Sequence, residues 1–169
     1  MVRYINPLEL TDLPVIMLTD NLRSFISWGI RKHTHGNYSH IGLIVHPKMF
    51  ASQLTTFREV PVEKYMKRYY RLKFYGLKAN EETKQLIIQR VEKILSLPFY
   101  KRIYDYLGIL GQFLRFRKLQ NPFAYYCSEI ITDILEPFHK FPPRRTPSEL
   151  NRLMANSPKF KYLGHFFID

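Results

Sequence analysis

Residues 38–45 read Tyr38-Ser39-His40-Ile41-Gly42-Leu43-Ile44-Val45. The last five form a continuous apolar run of strand length, which predicts a central strand. Its approach, His33-Thr34-His35-Gly36-Asn37, reads as loop. A second apolar run, Pro14-Val15-Ile16-Met17-Leu18, predicts another buried strand. Beyond the turn at Pro47-Lys48, residues 49–52 and 57–60 predict a pair of strands. Residues 69–77 alternate: Tyr70, Leu72 and Phe74 face one way, Arg71, Lys73 and Tyr75 the other. The aromatic tail, 160–168, predicts a closing strand.

Helical spacing appears between these runs. Leu22, Phe25, Ile26, Gly29 and Ile30 form one stripe, with Asp20 or Asn21 as the expected N-cap. Asn80 caps a second helix and puts Glu81 and Glu82 in its positive first turn. Ile87, Ile88, Val91, Ile94 and Leu95 supply its buried stripe, and Pro98 ends it. Tyr104, Leu107, Leu110, Phe113 and Leu114 predict a third helix. Cys127, Ile130, Ile131, Ile134 and Leu135 predict a fourth, with Cys127 at its N-terminus and Pro137 as its stop. Strands cluster between residues 40 and 77. The fold class expected is therefore α+β, an antiparallel sheet packed against helices. No linker or repeat divides the chain, so a single domain over 1–169 is expected.

Composition supports a packed core. The chain has 169 residues, 46% hydrophobic and 15% aromatic, with only 7 Gly and 11 Pro, which excludes a disordered or fibrous chain. Apolar runs are too short for a spanning helix, and the N-terminus lacks a secretory signal. These features predict a cytoplasmic location, and they are equally compatible with a phage-encoded or virion-associated product. Lys and Arg total 26 against 14 Asp and Glu, a net charge of +12. That balance suggests attraction to a polyanion (nucleic acid, an anionic membrane face or an acidic wall polymer). The basic residues are scattered, however, and no motif of a nucleic-acid-binding module accompanies them, so a solvated basic surface is the favoured reading and an anionic surface contact the alternative.

The single cysteine excludes an internal disulfide and a cysteine metal cluster. At a helix start, a thiol is stabilised as thiolate by the macrodipole and the free N–H groups, which can also receive an oxyanion. A buried structural cysteine is the competing reading. A cysteine nucleophile needs a base, and His40 is placed for it where loop becomes apolar strand.

Tyr38-Ser39-His40-Ile41-Gly42-Leu43-Ile44-Val45, followed downstream by Tyr125-Tyr126-Cys127-Ser128-Glu129-Ile130-Ile131, resembles the circularly permuted papain-like superfamily. Its members include NlpC-type amidases and peptidases, and the lecithin:retinol acyltransferases are kin. The opening strand and helix, the segment from Leu97 to Gly108, and Thr146-Pro147-Ser148-Glu149-Leu150, similar to the loop after the Cys helix, extend the resemblance over most of residues 12–150. It implies a permuted papain-like domain in which Cys127 is the nucleophile and His40 the base. It also implies a third residue that orients the imidazole. By spacing, Ser52 falls nearest that position, with Gln53 beside it; neither is a carboxylate, and Glu59 is a more distant acid. Tyr38, two residues before His40, is expected on the same side of an extended segment, lining the cleft or donating to an oxyanion.

The function expected is a thiol hydrolase, a cysteine peptidase or amidase working through a thioester, with cell-wall peptide amides among its substrates. The alternatives are a lipid acyltransferase or thioesterase of the same fold, and a catalytically silent module that binds a wall or phage-structural partner. No metal or other cofactor is required.

Overall fold

Six strands form one sheet in which every neighbouring pair is antiparallel, in the order β4-β3-β2-β1-β5-β6. The structure is a computed structural model that describes residues 4–53, 56–98, 122–143 and 145–168; the side chains of residues 26, 33, 34, 53 and 122–127 lie outside that description. The strands are β1 (Val15–Asn21), β2 (His40–His46), β3 (Met49–Gln53), β4 (Phe57–Pro61), β5 (Tyr70–Leu77) and β6 (Phe160–Phe167). The described helices are α1 (Phe25–Thr34), α2 (Glu81–Leu95), α3 (Pro122–Leu135) and α4 (Pro147–Asn156). The α+β class and antiparallel sheet are thus as the patterning predicts. The helix expected around Tyr104 to Leu114 falls outside the described residues.

Helices cover one face of the sheet. Ile16, Leu18, Ile41, Leu43, Val45 and Tyr75 meet Ile87 and Val91 of α2, Ile131, Ile134 and Leu135 of α3, and Leu150 and Met154 of α4. The other face carries Val15, Met17, Ile44, Phe50, Leu72 and Phe74, covered by Ile5, Leu8, Leu10 and Leu13 and by Tyr65 and Met66 after β4. Both faces are therefore dry. This explains why β1 and β2 read as unbroken apolar runs rather than alternating ones, and why Tyr75 is buried despite its place on the predicted polar side of β5.

Two boundaries differ from the sequence reading. Asp20 and Asn21 end β1, and Ser24 caps α1, its hydroxyl accepting from the Ser27 N–H. The α3 helix starts at Pro122, so Cys127 is its sixth residue and lies in the second turn. Asn121-Pro122 suits a turn, but proline is equally favoured in the first helical position, where no N–H is required. One helix went unforeseen. Thr146-Pro147-Ser148-Glu149, read as loop, is a capping box: the Thr146 hydroxyl accepts from the Glu149 N–H, and the Glu149 carboxylate from the Thr146 N–H.

Candidate active site

His40 is the first residue of β2 and pairs with Thr19 of β1. Strand alternation puts it on the face of Gly42 and Ile44, opposite Ile41 and Leu43. Its ring meets Phe50 edge-on, with centroids 6.0 Å apart. His40 is 8% exposed, and its Nε2 has no hydrogen-bond partner among the described residues. Burial pushes its pKa down to about 4, so the ring is neutral at physiological pH. An unpaired buried nitrogen is costly and needs a reason.

Ser52 shares this face. It pairs with Gly42, two residues from His40, and is buried. Its hydroxyl reaches Tyr65 instead: burial raises the Tyr65 pKa, and the hydrogen bond with Ser52 opposes that rise. Gln53 pairs with Phe57 at the end of β3, and its side chain lies outside the described residues. Glu59 is committed elsewhere, accepting at 2.7 Å from Nδ1 of His46, whose Nε2 lies 3.1 Å from Glu92 of α2. None of these carboxylates reaches His40.

Tyr38 departs from the expectation of a shared side with His40. It packs against the helix-covered core, because the regular strand starts only at His40 and residues 36–39 are not bound to its alternation. Burial raises its pKa to about 12, with the Arg71 charge opposing, so its hydroxyl stays protonated. Its backbone is fixed to α4: the Tyr38 N–H donates to the Ser148 hydroxyl at 3.0 Å, and that hydroxyl donates to the Tyr38 carbonyl at 3.1 Å.

The same loop holds α3. The Ser128 hydroxyl donates to the Arg145 carbonyl. Ser128, next to Cys127, is thus tied to the segment that Ser148 ties to Tyr38, two residues before His40. At the far end of α3, Arg90 of α2 donates to the Asp133 carbonyl at 2.8 Å, and Glu92, also of α2, meets His46 at the end of β2. The α3 helix therefore runs beside β2 with its N-terminal half toward His40. Its buried residues pack on the face of the sheet opposite the His40 ring. The Cys127 side chain lies outside the described residues. As the sixth helical residue, Cys127 has its N–H within the reach of the helical ladder, which removes the free-donor argument for its backbone.

A polar centre that sequence reasoning missed lies at the same end of β1. Asp20, fully buried, accepts from Arg31 at 2.5 Å and from Arg71 at 3.0 Å. These contacts pin α1 and β5 to β1. Asp20 Oδ1 and Arg71 Nε are buried without partners among the described residues. The available signal was an acid ending an apolar run, with arginines off the stripe of α1 and in alternation on β5. Among the described residues, no group of three or more His, Cys, Asp or Glu is placed to hold a metal, and no helix is long and apolar enough to cross a membrane.

A similar solved structure is that titled metalloprotein yiiX from Escherichia coli O157:H7, DUF1105, with 16% identity and a TM-score of 0.52 over 91% of this chain and 97% of that one. The two chains share a fold. No protein-family model matches the chain. No curated protein matches it either.

Proposed function

We propose that the protein is a thiol hydrolase, a cysteine peptidase or amidase, with Cys127 as nucleophile and His40 as base. The observation that carries this reading is the buried, unpaired Nε2 of His40 at the sheet end toward which the Cys127 turn is tied. Neutral His40 takes the thiol proton, and Sγ attacks the substrate carbonyl carbon. A thiolate beside the ring favours its protonated form and so offsets the effect of burial. The imidazolium then protonates the leaving amine, which departs as the thioester forms. Water, deprotonated by His40, attacks the thioester; the acid leaves and the thiol is restored. Tyr38, on the face that α3 covers and protonated up to about pH 12, is suited to donate to the oxyanion.

A catalytically silent binding module is the second reading. It is favoured by the commitment of Ser52 to Tyr65, which leaves His40 without an orienting partner among the described residues. Intact-protein mass spectrometry after incubation with wall muropeptides, peptides and lipid esters separates the two. A covalent acyl adduct on Cys127 with one substrate class supports the hydrolase, and the mass of the acyl group distinguishes peptide from lipid. No adduct with any class, while the fold is intact, supports the silent module.

A further inference from the structure

The N-terminal end of α1 carries large apolar side chains in water. Phe25 is 89% exposed, Trp28 53% and Leu22 39%. Phe25, Trp28 and Lys32 recur at i, i+3 and i+7, one face of the helix. Core packing does not use this face: among the described side chains of α1, Ile30 and Ser27 are the buried positions, and Arg31 turns inward to Asp20. A Cβ added at Gly29 would meet nothing within 4 Å.

Cations sit on these rings. Lys32 Nζ lies 4.9 Å from the centroid of Trp28, and the Arg23 guanidinium lies 5.1 Å from that of Tyr69. Neither cation forms an ion pair among the described residues. The Leu22 N–H donates to the Tyr69 carbonyl at 2.9 Å, which joins the α1 entry to exposed Lys67 and Arg68. From Asn21 to Arg58 the chain has no Asp or Glu.

We propose that this end of α1 docks on the surface of an anionic phospholipid bilayer. Its chemistry matches that of an interface: Trp and Tyr at headgroup depth, Phe25 and Leu22 toward the acyl boundary, and Arg23, Lys32, Lys67 and Arg68 among anionic headgroups. Phosphates of a nucleic acid would use the cations but give Leu22 and Phe25 no apolar phase to enter. The inference does not depend on whether Cys127 is catalytic.

Trp28 is the only tryptophan, so its emission reports on this face alone. Vesicles of phosphatidylglycerol and phosphatidylcholine should shift the Trp28 emission to the blue and protect it from an aqueous quencher; vesicles of phosphatidylcholine alone should do so far less. Raised salt should weaken the effect. In vesicle co-sedimentation, Lys32→Ala and Arg23→Ala should each weaken binding about fivefold, and Phe25→Ala about tenfold. All three positions are on the surface, and circular dichroism confirms that each variant is folded. Emission unmoved by anionic vesicles overturns the proposal. So does a Trp28 already blue-shifted and protected without lipid, which would mean that protein covers the patch, whether a second copy or the chain itself. Binding undiminished by Phe25→Ala places the lipid contact elsewhere and overturns it too.

Discussion

The Phe50 ring stands edge-on to that of His40, with planes at 88° and centroids 6.0 Å apart. Phe50 is fully buried and also meets Tyr65 edge-on at 5.1 Å, so the imidazole is packed against an aromatic that is itself held in place. Burial disfavours the charged form of the ring, and among the described residues packing rather than a carboxylate holds its position.

Gly42 makes room for Phe50. A Cβ at this position would lie 2.5 Å from the Ala51 carbonyl oxygen and 2.5 Å from the Phe50 ring. The carbonyl belongs to the neighbouring strand and cannot swing away. Gly42→Ala should cost about 1–3 kcal/mol, the usual scale of overpacking. Denaturant unfolding measures it, and an unchanged midpoint would show that the β2–β3 contact is looser than described.

His40 makes stability depend on pH. Its folded pKa, about 4, lies below the ordinary value of 6.5 because burial disfavours the charged ring. The unfolded chain therefore binds more protons between these values. The stability contribution is complete above about pH 6.5 and is lost as pH falls toward 4, by up to about 3 kcal/mol. Denaturant curves across that range on Cys127→Ala, which lacks the thiolate that would offset burial, should show the loss, and adding His40→Gln should flatten it.

His46 acts with the opposite sign. Its hydrogen bond to Glu59, and then that to Glu92, raise its pKa. The tie between β2, β4 and α2 is fully present below the ordinary value of about 6.5 and weakens as pH rises through the raised value. His46 is 39% exposed, so water screens the pairs and the gain stays below about 1 kcal/mol. Wild type and His46→Gln should differ in thermal midpoint at acidic pH and converge at alkaline pH.

Asp20→Asn should be more severe. It leaves Arg31 and Arg71 facing each other at the end of β1 without the buried carboxylate that both bind. A loss of about 3 kcal/mol is expected, since one partner of a buried charge cluster is removed. Thermal unfolding tests this, and a near-neutral result would mean that water already shares the site.

Sequence made the sheet legible because β1 and β2 are unbroken apolar runs and residues 70–75 of β5 alternate in polarity. Asn80 announced α2 for the same reason, a local cap ahead of a periodic stripe. Where two local signals competed, the reading failed. Pro122 could end a loop or begin a helix, and Thr146-Pro147-Ser148-Glu149 could be a turn or a capping box; packing of Ile131 and Leu150 on the sheet decided both. His40 does begin β2, as its place between loop and apolar run predicts, and Ser52 pairs with Gly42 on the neighbouring strand. That Ser52 would turn to Tyr65, and Tyr38 to the helical face, depended on non-local packing that no spacing rule encodes.

The pairing of Cys127 with His40 is tested most directly by thiol reactivity. Cys127 is the only cysteine, so alkylation by iodoacetamide reports on it alone. If His40 takes its proton, the folded protein should alkylate readily near pH 6, below the free thiol value of about 8.5. His40→Ala should move the rate profile to higher pH, because the cationic neighbour of the thiolate is lost. Full labelling in denaturant confirms that the thiol is intact. An accessible Cys127 that titrates near 8.5 in both the wild type and His40→Ala would contradict the account.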